Sequence, residues 1–366
     1  MKFVESAASE RARRGRLETP HGSVETPAFM PVGTRGAVRM LDSRDLAEAG
    51  SEMVLANTYH LMLRPGAEVV ADLGGLHGFM GWPGPILTDS GGYQVFSLEP
   101  TITEDGAEFR STYDGTSITM TPEESMRVQE LLGADIAMVF DELVGLPAER
   151  AAVAAAMERT LRWSQRAVES HSRRDQALFG ICQGGVDPEL RAESARRTAD
   201  LGFVGYGIGG LSVGESSHDR DVALDAAIPE LPQEAPRYVM GLGDTEGVLA
   251  AVARGADLFD CVWPTRLARH GKVLSPSGDY SIRRAEFASD DSPLDPECGC
   301  RTCAVYSRGH LRHLRLSEKM SSMRPLSIHN LHYTLEVMAG ARRAIEEDSF
   351  DLFHSQVVNA RASGAQ

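Results

Sequence analysis

The sequence contains no uninterrupted run of 18 apolar residues, although 42% of its residues are hydrophobic. A helix that crosses a bilayer needs about 20 such residues, so no membrane span is predicted. The first residues, MKFVESAASERARRGR, also lack the apolar centre of a secretory signal peptide. We therefore expect a soluble protein of the cytoplasm.

Cysteine is scarce, with five residues in the whole chain. Three of them form the group Cys298-Gly-Cys300-Arg-Thr-Cys303, which in a reducing compartment suggests metal ligands rather than a disulfide framework. Three thiolates and one imidazole complete a closed tetrahedral zinc shell, so the spacing predicts one structural zinc ion per chain, against the alternative of three incidental thiols. Four histidines compete on spacing for the fourth ligand position: His310, His313, His329 and His332.

Positive charge is in short supply, because 37 lysines and arginines face 52 aspartates and glutamates, for a net charge of -15. An even distribution of that charge would repel a polyanionic partner. The distribution is uneven, however, since residues 264–324 carry eleven basic side chains against seven acidic ones. This asymmetry favours a protein that meets nucleic acid with one face, although a solvated arginine-rich face around a zinc site is the alternative.

Eight short apolar runs, each followed by turn residues, recur along the chain, and most are separated by helix-like segments. Apolar strands that alternate with amphipathic helices predict a parallel sheet covered by helices, and eight such units would close a (β/α)8 TIM barrel of the α/β class. A doubly wound open sheet is the alternative. The predicted strands are 27–32, 53–56, 85–87, 136–140, 178–182, 204–208, 238–242 and 258–262.

Two segments interrupt this alternation. Residues 91–121 contain short alternating pieces around Asp114-Gly115, which predict an inserted hairpin. Residues 264–328 carry the basic clusters and the three grouped cysteines, and a final helix is expected at about 332–347. The predicted division is a catalytic barrel from 1–263 and 329–366, with 264–328 as a basic, zinc-binding insertion near the C-terminus.

Two aspartates follow predicted strands at the end where a barrel of this kind places its working residues. Asp89 follows the third strand, and Asp260 lies near the end of the eighth, before a predicted basic loop with Arg266 and Arg269. A carboxylate pair suits glycosyl transfer through a covalent intermediate, in which one group attacks the sugar and the other handles the proton. A metal site and a pair of strand-end caps are the alternatives.

Polar groups and glycines after other strands suggest a site for a flat heterocycle. Asp141 and Gln183 offer acceptors and donors for its edge, and Gly209-Gly210 permits a close backbone approach. Tyr93 and Met240 are placed to flank a ring, although a core position is the alternative for Met240.

Eight ordered motifs resemble those of the bacterial tRNA-guanine transglycosylase family, and the resemblance extends from about residue 20 to 340. The motifs are NTYHLMLRPG from Asn57, TDSGGYQVFSL from Thr88, FDE at Phe140, GICQGG from Gly180, GIGGLSVGE from Gly207, MGLG at Met240, FDCVWPTR from Phe259 and CxCxxC with His329.

The resemblance implies a homodimeric, zinc-containing barrel that acts in queuosine biosynthesis. It implies an exchange of guanine at wobble position 34 for the 7-deazaguanine base preQ1, in tRNAs with a GUN anticodon, which are those for aspartate, asparagine, histidine and tyrosine. It further implies that Asp260 is the nucleophile at the ribose C1′ and that Asp89 is the general acid and base.

The remaining site residues come from the same resemblance. They are Asp141, Gln183 and the backbone of Gly210 and Leu211 for the base edge; Tyr93 and Met240 for its two faces; Cys298, Cys300, Cys303 and His329 for zinc; and Arg266 and Arg269 for the anticodon loop.

Three positions depart from the family's pattern. Leu143 stands where the family usually has cysteine, and Leu267 and His270 stand in a loop that usually carries asparagine. We expect Leu143 to reshape the base pocket and the other two to alter anticodon contacts. Val213 resembles the bacterial form, which favours preQ1 over a larger base.

Two other functions compete with this interpretation. A non-catalytic tRNA-binding subunit is disfavoured because both Asp89 and Asp260 are present. A barrel glycosidase that acts on ordinary sugars would need neither a zinc module nor a basic flank.

Overall fold

The computed structural model describes residues 1–364, and the chain begins with an antiparallel sheet that the sequence pattern did not predict. Arg13, which is buried on its second strand, donates hydrogen bonds to Asp257 (Nε to Oδ1, 2.9 Å) and to the carbonyl oxygen of Ala235 (2.7 Å). Both acceptors directly precede strands of the barrel described next. The sheet therefore covers the end at which the barrel strands begin. Its strands are β1 (Lys2–Ser9), β2 (Ala12–Thr19) and β3 (Gly22–Thr26).

Eight parallel strands close into a barrel in chain order, and the last strand pairs with the first. The predicted (β/α)8 barrel is confirmed, and the open doubly wound sheet is wrong. Several strands are shorter than predicted because the chain leaves the hydrogen-bonded ladder as it turns towards the cavity described below. The barrel strands are β4 (Ala28–Gly33), β5 (Val54–Ala56), β6 (Ile86–Thr88), β10 (Ile136–Met138), β11 (Ala177–Cys182), β12 (Gly205–Ile208), β13 (Arg237–Val239) and β14 (Leu258–Cys261).

Helices follow the barrel strands and cover the outside of the barrel. Proline in the first turn and a side-chain N-cap explain two of the starts, since Thr121 caps the helix at Pro122 and Asp187 caps the helix at Pro188. Within residues 1–364, none of the helices has both the length and the apolarity that crossing a membrane requires. The helices up to the end of the barrel are α1 (Ser43–Ala49), α2 (Thr58–Leu63), α3 (Ala67–Asp72), α4 (Gly75–Met80), α5 (Gly92–Phe96), α6 (Pro122–Leu132), α7 (Arg150–Ser170), α8 (Pro188–Ala199), α9 (Ser217–Ala227), α10 (Thr245–Val252) and α11 (Trp263–His270), with a 3₁₀ turn at Ile228–Glu230.

A buried carboxylate joins the N-terminal sheet to the barrel. Asp135, just before β10, accepts hydrogen bonds from His21 Nδ1 (2.8 Å), His77 Nε2 (3.1 Å) and the backbone N–H of Ile86 (2.8 Å). Burial raises the pKa of Asp135, but these hydrogen bonds outweigh burial and lower it to about 2. The carboxylate is therefore ionised at neutral pH and connects the β2–β3 turn, α4 and the start of β6.

The inserted segment after β6 contains the predicted hairpin and one further strand. β8 (Ala107–Arg110) and β9 (Ser117–Met120) form the antiparallel pair, and β7 (Thr101–Ile102) extends it. Phe109 and Met120 of this small sheet pack in one apolar cluster with Trp163 of α7. This packing fixes the insertion against the outside of the barrel.

The predicted basic loop after Asp260 is wrong, because α11 occupies residues 263–270. Proline does not prevent this helix, because Pro264 lies in the first turn, where its missing N–H costs no hydrogen bond. Gly271 ends the helix in the left-handed conformation, with φ of 81°.

The C-terminal part of the chain packs as short elements and helices against α11. Its long helix begins at Lys319 rather than near residue 332, because Pro325 is accommodated inside the helix while Leu326 is buried in a local core with Leu311. The predicted domain boundary at 328 falls within this helix, and the division of the chain into two parts remains a prediction. The elements are β15 (Lys272–Val273), β16 (Tyr280–Ser281), a 3₁₀ turn at Ala285–Ser289, α12 (Arg301–Val305), α13 (Arg308–Ser317), α14 (Lys319–Glu346) and α15 (Phe350–Gly364).

Candidate active site

A cavity of about 670 Å³ opens where the barrel strands end, opposite the N-terminal sheet. Side chains and backbone from several strand ends meet in its wall, as is usual for this fold. Most of the sequence-predicted substrate residues line it: Asp89, Tyr93, Asp141, Gly210, Leu211, Met240, Asp260 and Arg266. Gln183 and Arg269 do not.

Asp89, which follows β6, is held firmly in the cavity wall. The backbone N–H of Thr58 donates to its Oδ1 (2.8 Å), and the side-chain amide of Asn57 donates to its Oδ2. Burial raises the pKa of Asp89 to about 6; the bonds from Thr58 and Asn57 oppose that shift, and the nearby charge of Asp260 adds to it. Asp89 is thus a carboxyl group that titrates near neutrality, as an acid–base catalyst requires.

Asp260, in β14, is held through one of its two oxygens. The hydroxyl of Tyr238 (2.6 Å) and the backbone N–H of Gly241 (2.7 Å) both donate to Oδ1. Burial raises the pKa of Asp260, and these two hydrogen bonds lower it in part. Within residues 1–364, Oδ2 accepts no hydrogen bond, so the carboxylate has a fixed orientation and a free oxygen.

Asp89 and Asp260 act on one another electrostatically across the cavity, because the charge of Asp260 raises the pKa of Asp89. Two neighbouring carboxylates resist double ionisation and titrate as a pair. The pair therefore favours a state in which one carboxyl group is ionised while the other carries a proton. Such a state provides an anionic nucleophile and a proton donor in the same cavity.

A second polar group consists of Ser90 and Asp141 in the cavity wall and Gln183 behind it. The hydroxyl of Ser90 donates to Asp141 Oδ1 (2.9 Å), and the amide of Gln183 donates to Asp141 Oδ2 (2.6 Å). Burial raises the pKa of Asp141. Gln183 therefore lies one layer behind the cavity and orients Asp141 in this structure.

Glycine is required where the β12 turn approaches this group. A Cβ atom at Gly210 would lie 2.3 Å from Gln183 Oε1, and the residue has φ of 66°. The backbone of Gly210 and Leu211 consequently forms the cavity wall directly beside Asp141.

Positions at the mouth of the cavity are more exposed. Tyr93 is 60% exposed on α5, whereas Met240 is only partly exposed and packs against the barrel core. Arg269 lies on α11, outside the cavity, and donates to the hydroxyl of Thr265 (3.2 Å). Of the three positions that depart from the family's pattern, Leu143 alone lines the cavity.

The three grouped cysteines converge with one histidine of α14. The Sγ atoms of Cys298, Cys300 and Cys303 lie 3.6, 3.7 and 3.3 Å from His329 Nδ1. A tetrahedral shell with bonds of 2.1–2.3 Å separates sulfur and nitrogen ligands by about 3.6 Å, so these four residues fit a metal ion. His329 Nε2 donates to the carbonyl oxygen of Leu274 (2.9 Å), which leaves Nδ1 free to bind metal. The structure thus selects His329 among the four candidate histidines.

Three residues around the cavity were missed by sequence reasoning. Asn57 directly follows a predicted strand, and that position could have revealed it. Tyr238 lies within β13, and the apolar pattern of the strand concealed its hydroxyl. Arg191 is one of several arginines on α8, and no sequence feature distinguishes the buried arginine from exposed ones.

Known proteins of one kind match almost the whole chain. A family model described as queuine tRNA-ribosyltransferase matches residues 8–363. A queuine tRNA-ribosyltransferase of Desulforamulus reducens is 50% identical over 350 residues, covering 95% of each chain. Another, from Methylobacillus flagellatus, is 48% identical over 363 residues, covering 99% of this chain and 98% of the relative.

Proposed function

Because the chain belongs to the queuine tRNA-ribosyltransferase family, and is thus a pentosyltransferase that acts on tRNA, we propose that it exchanges guanine at position 34 of GUN-anticodon tRNAs for preQ1. The observation that supports this most is the pair of Asp89 and Asp260, which line the same cavity as Asp141 and the Gly210 backbone. The pair supplies glycosyl-transfer chemistry, and the other groups supply an edge for a purine-like base.

The proposed exchange proceeds in two balanced steps. Asp260 Oδ2 attacks the ribose C1′ as the bond from C1′ to N9 of guanine breaks, and Asp89 gives the departing base its proton. The incoming preQ1 then loses its N9 proton to Asp89, and its nitrogen attacks C1′ and releases Asp260. Each cycle returns both carboxyl groups to their initial protonation states.

Base recognition follows from the groups beside Asp89. The Asp141 carboxylate would accept hydrogen bonds from the ring N–H and amino group that guanine and preQ1 share. The backbone at Gly210 and Leu211 would donate to their carbonyl oxygen, while Tyr93 and Met240 cover the two faces of the ring. The target base must leave its stack to reach this cavity, which is easiest in a single-stranded loop.

Base exchange into tRNA tests this function. Labelled guanine should enter a tRNA that has a GUN anticodon, and unlabelled preQ1 should then displace the label irreversibly. The same tRNA with adenine at position 34 is the control and should take up no label. Labelling of the control, or the absence of labelling in both tRNAs, would contradict the proposed function.

We propose that zinc is the ion held by Cys298, Cys300, Cys303 and His329, because three thiolates and an imidazole favour it. With all four positions filled by protein, the ion would stabilise the fold and take no part in catalysis. Cys300→Ser should therefore lose most of the one zinc per chain expected in the parent and should melt at a lower temperature. The buried Cys182→Ser variant controls for loss of a thiol. One full equivalent of zinc in Cys300→Ser, measured by elemental analysis after dialysis, would refute the assignment.

We propose that the anticodon loop binds at Arg266 and Arg269. Burial lowers the pKa of Arg269, and the nearby charges of Arg39 and Arg266 lower it further. Phosphate groups would relieve this repulsion, so the affinity for tRNA should fall as salt rises. A Kd that is independent of salt would contradict this placement.

We further propose a homodimer that works in the cytoplasm. Several large apolar side chains between residues 305 and 320 are exposed, and burial against a second copy would remove them from water: Val305, Tyr306, Leu316 and Met320. Sedimentation as a monomer at micromolar concentration, or recovery outside the cytoplasmic fraction of cells, would contradict these two proposals.

A further inference from the structure

Arg191 of α8 is fully buried, yet it forms no ion pair within residues 1–364. Its guanidinium instead donates to four backbone carbonyl oxygens. Nε donates to Gly185 (2.6 Å), Nη1 to Cys182 (3.1 Å) and Gly209 (2.8 Å), and Nη2 to Gly210 (3.3 Å).

A buried cation without a carboxylate partner is costly, so such an arrangement calls for an explanation. Burial lowers the pKa of Arg191 to about 10, and the neighbouring Cys182 and Glu215 oppose that shift. The side chain therefore remains charged at neutral pH. Only a planar group with several fixed donors can reach four separate carbonyls, and lysine lacks this geometry.

The four carbonyls belong to two turns: the turn after β12 lines the cavity, and the turn at the end of β11 lies behind it. Cys182 and Gly185 flank Gln183, which orients Asp141, while Gly209 and Gly210 belong to the turn after β12. A single side chain outside the cavity thus fixes both turns relative to one another.

The direction of these carbonyls also determines the direction of the next N–H groups. In a trans peptide the C=O and N–H bonds point in opposite directions. The carbonyls of Gly209 and Gly210 point towards Arg191, so the N–H groups of Gly210 and Leu211 point away from it. Both residues line the cavity, and neither N–H donates a hydrogen bond within residues 1–364.

We propose that Arg191 is a positioning residue for base exchange, whose buried guanidinium holds the Gly209 and Gly210 carbonyls behind the cavity so that the following N–H groups bind the carbonyl oxygen of the base. This inference rests on the proposed function and adds a requirement to it. Arg191 acts through the two turns and does not touch the substrate.

Competition between guanine and 6-thioguanine measures how strongly the N–H groups bind the carbonyl oxygen of the base. 6-Thioguanine keeps the ring N–H and amino group of guanine but replaces the carbonyl oxygen with a weaker acceptor. In the parent, guanine should bind about tenfold more tightly than 6-thioguanine, which corresponds to one good hydrogen bond. Arg191→Lys should raise the inhibition constant of guanine about tenfold and reduce the preference for guanine to less than about threefold. The Kd for tRNA should stay within about twofold of the parent value.

Arg196→Lys, on the exposed face of the same helix, is the matched control and should retain the parent preference. A purely structural Arg191 would lower the melting temperature without changing the preference, and that result would overturn the inference. If Arg191→Lys fails to fold, the comparison of guanine with 6-thioguanine in the parent still tests the inference. Equal binding of the two bases would show that no N–H binds the carbonyl oxygen, and would overturn the inference. Absence of guanine exchange in the parent would overturn the proposed function together with this inference, whereas exchange with an unchanged preference in Arg191→Lys would overturn only the inference.

Discussion

Replacing Asp260 with alanine should abolish guanine exchange, with a loss in kcat of about 10⁴-fold or more, as is typical when a covalent nucleophile is removed. The structure explains the size of this effect because Tyr238 and Gly241 hold one oxygen of Asp260 and leave the other free in the cavity. Asp89 does not offer a comparable free oxygen, since it is held at both of its oxygens. The initial rate of labelled guanine incorporation into tRNA measures the loss.

Asp225→Asn is the control, because this exposed carboxylate lies on α9 and, within residues 1–364, pairs only with Arg11 and Arg254 at the surface. It should exchange guanine within about twofold of the parent rate, as surface ion pairs contribute little. Asp260→Asn adds a variant of nearly unchanged shape. Residual exchange above about 1% of the parent rate in Asp260→Ala would remove Asp260 from the role of nucleophile.

Asp89→Asn should lower the rate of guanine release about 10²- to 10⁴-fold, the usual contribution of general acid catalysis. The pH dependence gives a second test of the same residue. The pKa of Asp89 is raised to about 6, and the group must be protonated to act on the departing base. The value of kcat/KM for guanine release should therefore fall as pH rises above about 6.

The acid limb of the pH profile of kcat/KM reports Asp260. The pKa of Asp260 is also raised, and its carboxyl group must be ionised to attack C1′. Lowering the pH should therefore slow the reaction through Asp260 in both the parent and Asp89→Asn. The fall above pH 6 should disappear only in Asp89→Asn. An unchanged rate in that variant, or a profile that keeps its alkaline limb, would exclude Asp89 as the proton donor.

The barrel could be predicted from the sequence because its strands are buried on both faces and therefore form continuous apolar runs. The N-terminal sheet escaped prediction because strands such as β1 are mostly exposed and contain charged side chains, here Lys2 and Glu5. The helix α11 and the first turns of α14 also escaped prediction, although Pro264 lies in the first turn of α11 and tertiary packing accommodates Pro325 inside α14. Local pattern alone does not contain that packing.

The carboxyl pair and the cysteine group could be predicted because each consists of chemically distinctive residues at strand ends or at short spacing. The residues that orient them were harder to find. Tyr238 binds Asp260, which lies 22 positions further along the chain. Arg191 binds Gly209 and Gly210, which lie 18 and 19 positions further along. Such contacts depend on the parallel pairing of neighbouring barrel strands, which no local motif encodes.

Trapping the reaction intermediate tests the role of Asp260 most directly. The parent protein, mixed with a GUN-anticodon tRNA and quenched in denaturant, should yield a protein–RNA adduct that is absent when guanine is added before the quench. After digestion of protein and RNA, mass spectrometry should find the ribose on Asp260. A ribosylated Asp89, or active exchange without any adduct under conditions that preserve a glycosyl ester, would contradict nucleophilic attack by Asp260.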